Sequence, residues 1–254
     1  MVNCAGRFSP GRLADWLRTY PAESRWLDAF RRSASPKAPV SEEDSWRLYA
    51  LSRVLELMNL TFQHGDADSW AGPGLARGDA AAFATDLGLS VAGPPRYAAF
   101  DCEIVRVVAT DDDDDEPVLV DVHWPSVVLG DMMVCRAGVT VAAGRRVMNP
   151  SVAASSTIYW AYGRRNRPHE DLSNGWGSNS QWRTSFRRDY RTAAKIYYNV
   201  DGRFDLAAGR LAPHDDSALT RPERLELLVN RCFVVTQKPS DDLWPYDDRV
   251  TMTA

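Results

Sequence analysis

Residues 173–191 read SNGWGSNSQWRTSFRRDYR, and the passage of this run from loop to strand near Ser180 decides what the middle of the chain is. After Ser180, Trp182, Thr184, Phe186, Arg188 and Tyr190 alternate with Arg183, Ser185, Arg187, Asp189 and Arg191. A period of two sends successive side chains to opposite faces of a strand, so one face packs and the other presents guanidinium groups. The half before Ser180 reads differently. Asn174, Gly175, Gly177, Ser178 and Asn179 suit a turn-rich loop, because Gly and Asn tolerate positive φ while Ser and Asn bond nearby backbone.

Strand-forming composition extends from this stretch in both directions. Residues 100–109, 117–123 and 132–143 are rich in valine and read as three strands, the first two joined by an acidic, solvated tip at 111–116. On the other side, 195–200 and 203–206 flank Asp201-Gly202 as a hairpin. Asn149-Pro150 can open a helix, yet 157–162 is strongly strand-forming, which leaves 150–167 open. Thr220, Pro222 and Glu223 make a capping box for a helix to about Arg231, and the tail beyond reads as irregular coil.

The N-terminal part carries the helical period instead. Leu13, Trp16, Leu17, Tyr20, Trp26, Leu27 and Phe30 imply two short helices parted at Pro21. Ser41, with Glu42, Glu43 and Asp44 behind it, caps a long helix through Trp46, Leu48, Leu51, Leu55, Met58 and Phe62. A loop over 65–78 and a short helix over 79–87, ended by Gly88, complete this part. Helices first, then strands, then a closing helix imply an α+β fold with N-terminal helices on a mainly antiparallel sheet and a C-terminal helix. At 254 residues the chain is expected to form one domain, with a helical segment at 1–64 and a β-rich body at 97–254.

Charge narrows the function. Residues 136–195 carry a net +8, whereas the whole chain carries −4. A basic middle in an acidic protein favours a small anionic ligand over nucleic acid, which the remainder would repel. Arginine outnumbers lysine 27 to 3, a bias associated with high-GC bacterial genomes. The guanidinium fork matches carboxylate, phosphate or sulfate oxygens in pairs. The expected binding residues are therefore Trp176, Asn179, Gln181, Trp182, Arg183, Arg187 and Arg188.

The sequence contains no phosphate loop, dinucleotide fingerprint, nucleophile elbow or zincin motif. The best catalytic pair is Asp121 and His123, which a strand projects to one side and which together can transfer a proton. Glu103, on the neighbouring expected strand, could approach the same face. Four histidines without ligand spacing supply no third metal ligand, so neither metal nor cofactor is expected. Cys4, Cys102, Cys135 and Cys232 are too scattered for a disulfide framework. No apolar run approaches bilayer length and no leader pattern is present, which implies a cytoplasmic protein. Two readings follow. One is an enzyme performing acid/base-assisted substitution or elimination on a small anionic substrate. The other is a non-catalytic binding subunit that meets a protein partner through its Trp-rich N-terminal helices.

Overall fold

The computed structural model describes residues 12–65, 70–170, 186–208, 219–238, 243 and 245–254. The helical part comes first: α1 (Arg12–Thr19), α2 (Pro21–Ser33), α3 (Glu42–Asn59) and α4 (Arg77–Asp86). Pro21 lacks an N–H and has a preset φ, so it ends α1 and starts α2. Ser41 Oγ accepts from the Asp44 amide at 3.1 Å, and three carboxylates fill the first turn of α3, where the helix dipole favours them.

In chain order the strands are β1 (Ser90–Ala92), β2 (Cys102–Ala109), β3 (Val118–Trp124), β4 (Ser126–Leu129), β5 (Met132–Cys135) and β6 (Ala137–Ala143). After α5 (Pro150–Ser155) come β7 (Ile158–Tyr159), β8 (His169–Glu170), β9 (Asp189–Arg191), β10 (Lys195–Tyr198) and β11 (Phe204–Asp205), then α6 (Arg221–Asn230) and β12 (Asp248–Thr253). Seven strands form a sheet in the order β1-β4-β5-β9-β10-β12-β11, antiparallel except at β11-β12. A three-stranded sheet runs β2-β6-β3. The helices pack on the larger sheet through Leu27, Phe30, Leu48, Leu55, Leu129 and Met132, which confirms the α+β class.

Four local expectations need correction. The run 132–143 is two strands in two sheets, broken at Arg136. The Arg136 guanidinium turns inward to the Val229 carbonyl (2.7 Å) and Asp189 (3.2 Å), while its own carbonyl accepts from Trp124 Nε1 at 2.9 Å. Gly138 permits that contact, because a Cβ there would lie 2.4 Å from the Trp124 ring. No hairpin forms at Asp201-Gly202: β12 inserts between β10 and β11, and Asn199 Nδ2 donates to the carbonyls of Tyr246 and Asp248. The tail accordingly contains a strand, β12. Fourth, the alternation ending at Arg191 does not divide a packed face from a solvated one. Arg187, Arg188, Asp189 and Tyr190 are all buried, so both sides of the alternation face the interior here.

Residues 150–167 contain both of the structures weighed for them. Asn149 Oδ1 accepts from the Ser151 and Val152 amides to cap α5, and Ile158–Tyr159 pairs with β8. Among the described residues, no helix is long and apolar enough to cross a membrane.

Candidate functional site

Asp189 opens β9 and is 0% exposed. Its Oδ1 accepts from Arg187 Nε and the Asn199 amide, each at 2.8 Å. Its Oδ2 accepts from Arg136 Nη2 at 3.2 Å and Arg231 Nη2 at 3.5 Å. Four donors fill the lone-pair sites of one carboxylate. Burial alone would raise the Asp189 pKa, but Arg187, Arg136 and Arg231 outweigh it and hold it at about 2.

Three guanidinium groups thus surround one carboxylate, an excess of two positive charges within this group, with Glu103 and Glu56 also attracting Arg231. Arg136, Arg187 and Arg231 are 1%, 4% and 6% exposed, so water does not dissipate that excess. Part of it is offset by α6, whose C-terminal carbonyls carry roughly half a negative charge. The Val229 carbonyl accepts from Arg136 Nη1 at 2.7 Å, and the Leu228 carbonyl from Arg187 Nη2 at 2.5 Å. Trp160 lies over Arg187, 4.1 Å from guanidinium carbon to ring centroid. Even so, Arg136 Nε, Arg187 Nη1 and Arg231 Nε have no acceptor. Burial lowers the pKa of Arg187, and repulsion from Arg231 and Arg136 opposes the help it receives from Asp189.

A second buried cluster is balanced. Arg164 Nε and Nη2 bind Glu103 at 2.6 and 2.9 Å, Nη2 also reaches Glu56 at 3.2 Å, and Arg53 pairs with Glu56 at 2.9 Å. Glu56 belongs to α3 and Glu103 to β2, so the cluster ties helix to sheet. Glu103 therefore does not join Asp121 and His123. It faces Arg164, and β6 separates β2 from β3.

Asp121 and His123 do project to one side of β3, with Oδ2 and Nδ1 3.9 Å apart. That is beyond hydrogen-bond length. His123 Nε2 lies 2.8 Å from Thr140 Oγ1, and a neutral imidazole there donates or accepts that hydrogen bond according to its tautomer. Burial lowers the His123 pKa. Asp121 opposes that shift, and His64 and Arg77 reinforce it. We expect NMR titration to give a midpoint below the ordinary value of about 6.5, and Asp121→Asn to lower it further. A depressed histidine makes this contribution to stability fall as pH drops through about 6.5, since the unfolded chain then binds the extra proton. A midpoint above 6.5 would show that Asp121 dominates instead.

No hydrogen bond or ion pair joins Asp121 or His123 to Arg187 or Arg188. Arg188 is committed elsewhere: Nε and Nη2 fork onto Asp201 at 2.7 and 2.6 Å, and Nη1 reaches the Ala38 carbonyl and Tyr190 hydroxyl, both at 3.1 Å. Of the sequence candidates, Arg187 alone is placed with an unanswered donor. Trp176, Asn179, Gln181, Trp182 and Arg183 lie outside the described residues.

Arg136 and Arg231 were missed, since neither falls in the stretch 173–191. The available signal was the preference for arginine over lysine, because the planar, weakly hydrated fork is the cation best suited to burial. Among the described residues, no group of three His, Cys, Asp or Glu is arranged to hold a metal ion. Cys102, Cys135 and Cys232 are free and buried, and burial pushes the Cys135 thiol up to about 12, which leaves it unreactive. Neither a protein-family model nor a curated protein nor a solved structure matches this chain.

Proposed function

We propose that this protein recognises a small anionic molecule, a carboxylate, phosphate or sulfate ester, through the arginine centre around Asp189. The observation that carries this reading is Arg187: a buried guanidinium with one N–H unanswered, in a cluster whose positive charge exceeds its counter-charge. In the enzymatic form of this reading, the guanidinium groups stabilise negative charge developing on a leaving group while Asp121 and His123 move the proton. The lack of any bond between the pair and the centre makes binding the better supported part.

A thermal-shift panel of phosphate, sulfate, dicarboxylate and nucleotide, against chloride at matched ionic strength, tests it. A specific ligand at a hundred times its Kd adds about 2.7 kcal/mol. In a chain of this size, that is a rise of about 5–10 °C. If no anion raises the melting temperature beyond chloride, the proposal fails.

One observation favours the binding-subunit reading as a second. A groove of about 670 Å³ between the N-terminal helices is lined by Trp16, Trp26, Val54, Leu57 and Trp70, and Trp46 is exposed nearby. If a partner docks there, Val54→Asp should abolish its copurification while leaving the melting temperature unchanged. Copurification that survives the substitution would remove this reading.

A further inference from the structure

We propose that Arg136, Arg187 and Arg231 form the ligand shell of a buried site for an oxyanion of the phosphate or sulfate class, either free or borne on a larger molecule. This rests on the anion-recognition reading above and adds to it the residues and the ligand class.

The first support is an unmet demand for acceptors. Asp189 already receives four hydrogen bonds, so it cannot answer Arg136 Nε, Arg187 Nη1 or Arg231 Nε. A buried donor without an acceptor is destabilising, and more so when charged, so three on one centre are not a neutral feature of packing. All three guanidinium groups reach the same carboxylate, so an oxyanion beside Asp189 is within reach of more than one of them.

The charge calls for an anion and the donor set for its class. The excess of two positive charges, reduced by roughly half a charge at the α6 terminus, lies midway between the charge of a monoanion and that of a dianion. The three forks also arrive from different places: the break between β5 and β6, the approach to β9, and the residue after α6. A planar carboxylate is matched by a single fork, as Arg188 and Asp201 show. The three forks here already meet on the planar Asp189, and the four oxygens of a phosphate or sulfate group offer more acceptors than a second carboxylate to the donors Asp189 leaves unanswered.

The backbone marks the same place independently. Among the described residues, the non-glycine residues at positive φ are Trp160 (55°), Asn199 (50°) and Arg231 (64°). All three belong to this centre. Trp160 covers Arg187, the Asn199 amide binds Asp189, and the Arg231 side chain reaches the same carboxylate. Arg231 is the left-handed C-cap of α6 and asparagine tolerates this region, so Trp160, stacked on Arg187, is the one held there against its local preference.

The test is Arg231→Met, melted in low-salt buffer with and without titrated sulfate and phosphate. Without sulfate, the variant should melt no lower than the parent, because an uncompensated buried charge has gone. The concentration of sulfate needed for half the shift should rise at least tenfold. Arg231→Lys keeps the charge but loses the Nε donor, and should also weaken the response. Arg203→Met, at an exposed position, controls for net charge and should leave the response unchanged. Arg231 is structural, and this inference overturned, if Arg231→Met fails to fold or melts lower by an equal amount with and without sulfate. An unchanged half-saturation in the methionine or lysine variant overturns it as well, and all three of these results leave the anion-recognition reading standing. A parent that answers dicarboxylates but neither sulfate nor phosphate overturns the ligand class alone. A parent that answers no anion at all removes both.

Discussion

Asp189→Ala should be the most damaging single substitution in the protein. It leaves Arg136, Arg187 and Arg231 facing one another in the interior without their shared counter-charge, and it frees the Asn199 amide. Removing one side of a buried ion cluster costs about 3–5 kcal/mol, a large part of the roughly 5–15 kcal/mol that holds a domain folded. Urea denaturation at neutral pH should therefore find the variant largely unfolded or shifted by that amount. Sulfate should restore part of the loss, because it supplies the missing negative charge. The linkage has a definite sign. Asp189 titrates at about 2 in the folded protein and at about 3.9 when unfolded, so its contribution is complete above pH 4. It disappears as pH falls from about 4 to about 2. An alanine variant within 1 kcal/mol of the parent would mean that the arginines do not depend on Asp189.

Arg164→Met should come close behind. It strands Glu103 and Glu56 at the interface of α3 with β2 and removes the fork that holds them. Burial raises the Glu56 pKa while Arg164 and Arg53 lower it, so losing Arg164 drives Glu56 toward its neutral form. For Glu103, burial raises the pKa and Arg164 outweighs it, so this carboxylate stands to lose more. The expected cost is again about 3–5 kcal/mol, or on the order of 10 °C in melting temperature. Adding Glu103→Leu to Arg164→Met should recover much of it, since a buried ion pair replaced by apolar groups of similar size is often neutral. A double variant no better than the single would show that the cost is lost shape and not stranded charge.

These clusters also mark how far the sequence could be read. The Ser41 cap, the break at Pro21 and the capping box at Thr220 were legible because each acts within four residues, and the structure reproduces all three. What failed depends on distant partners. Nothing in the run MMVCRAGVT announces a strand change at Arg136, because the causes lie on α6 and β9. Asp201-Gly202 has hairpin chemistry, but a strand from the far end of the chain takes the place beside β10. Arg187 was expected to face a ligand from a solvated face. It is buried because it turns onto Asp189, the Leu228 carbonyl and the Trp160 ring, and no local pattern records partners from α6 and residue 160. For Asp121 and His123, strand spacing gave the shared side but could not give the 3.9 Å separation or the Thr140 partner.

On the function proposed above, excess guanidinium charge around Asp189 holds an oxyanion. Anomalous diffraction at the selenium edge from crystals soaked in sodium selenate, a heavy analogue of sulfate, locates such an ion directly. The expected result is a peak within hydrogen-bond distance of at least two of Arg136, Arg187 and Arg231, weakened when sulfate competes. A map with selenate bound only at exposed arginines, and none at this centre, would contradict it.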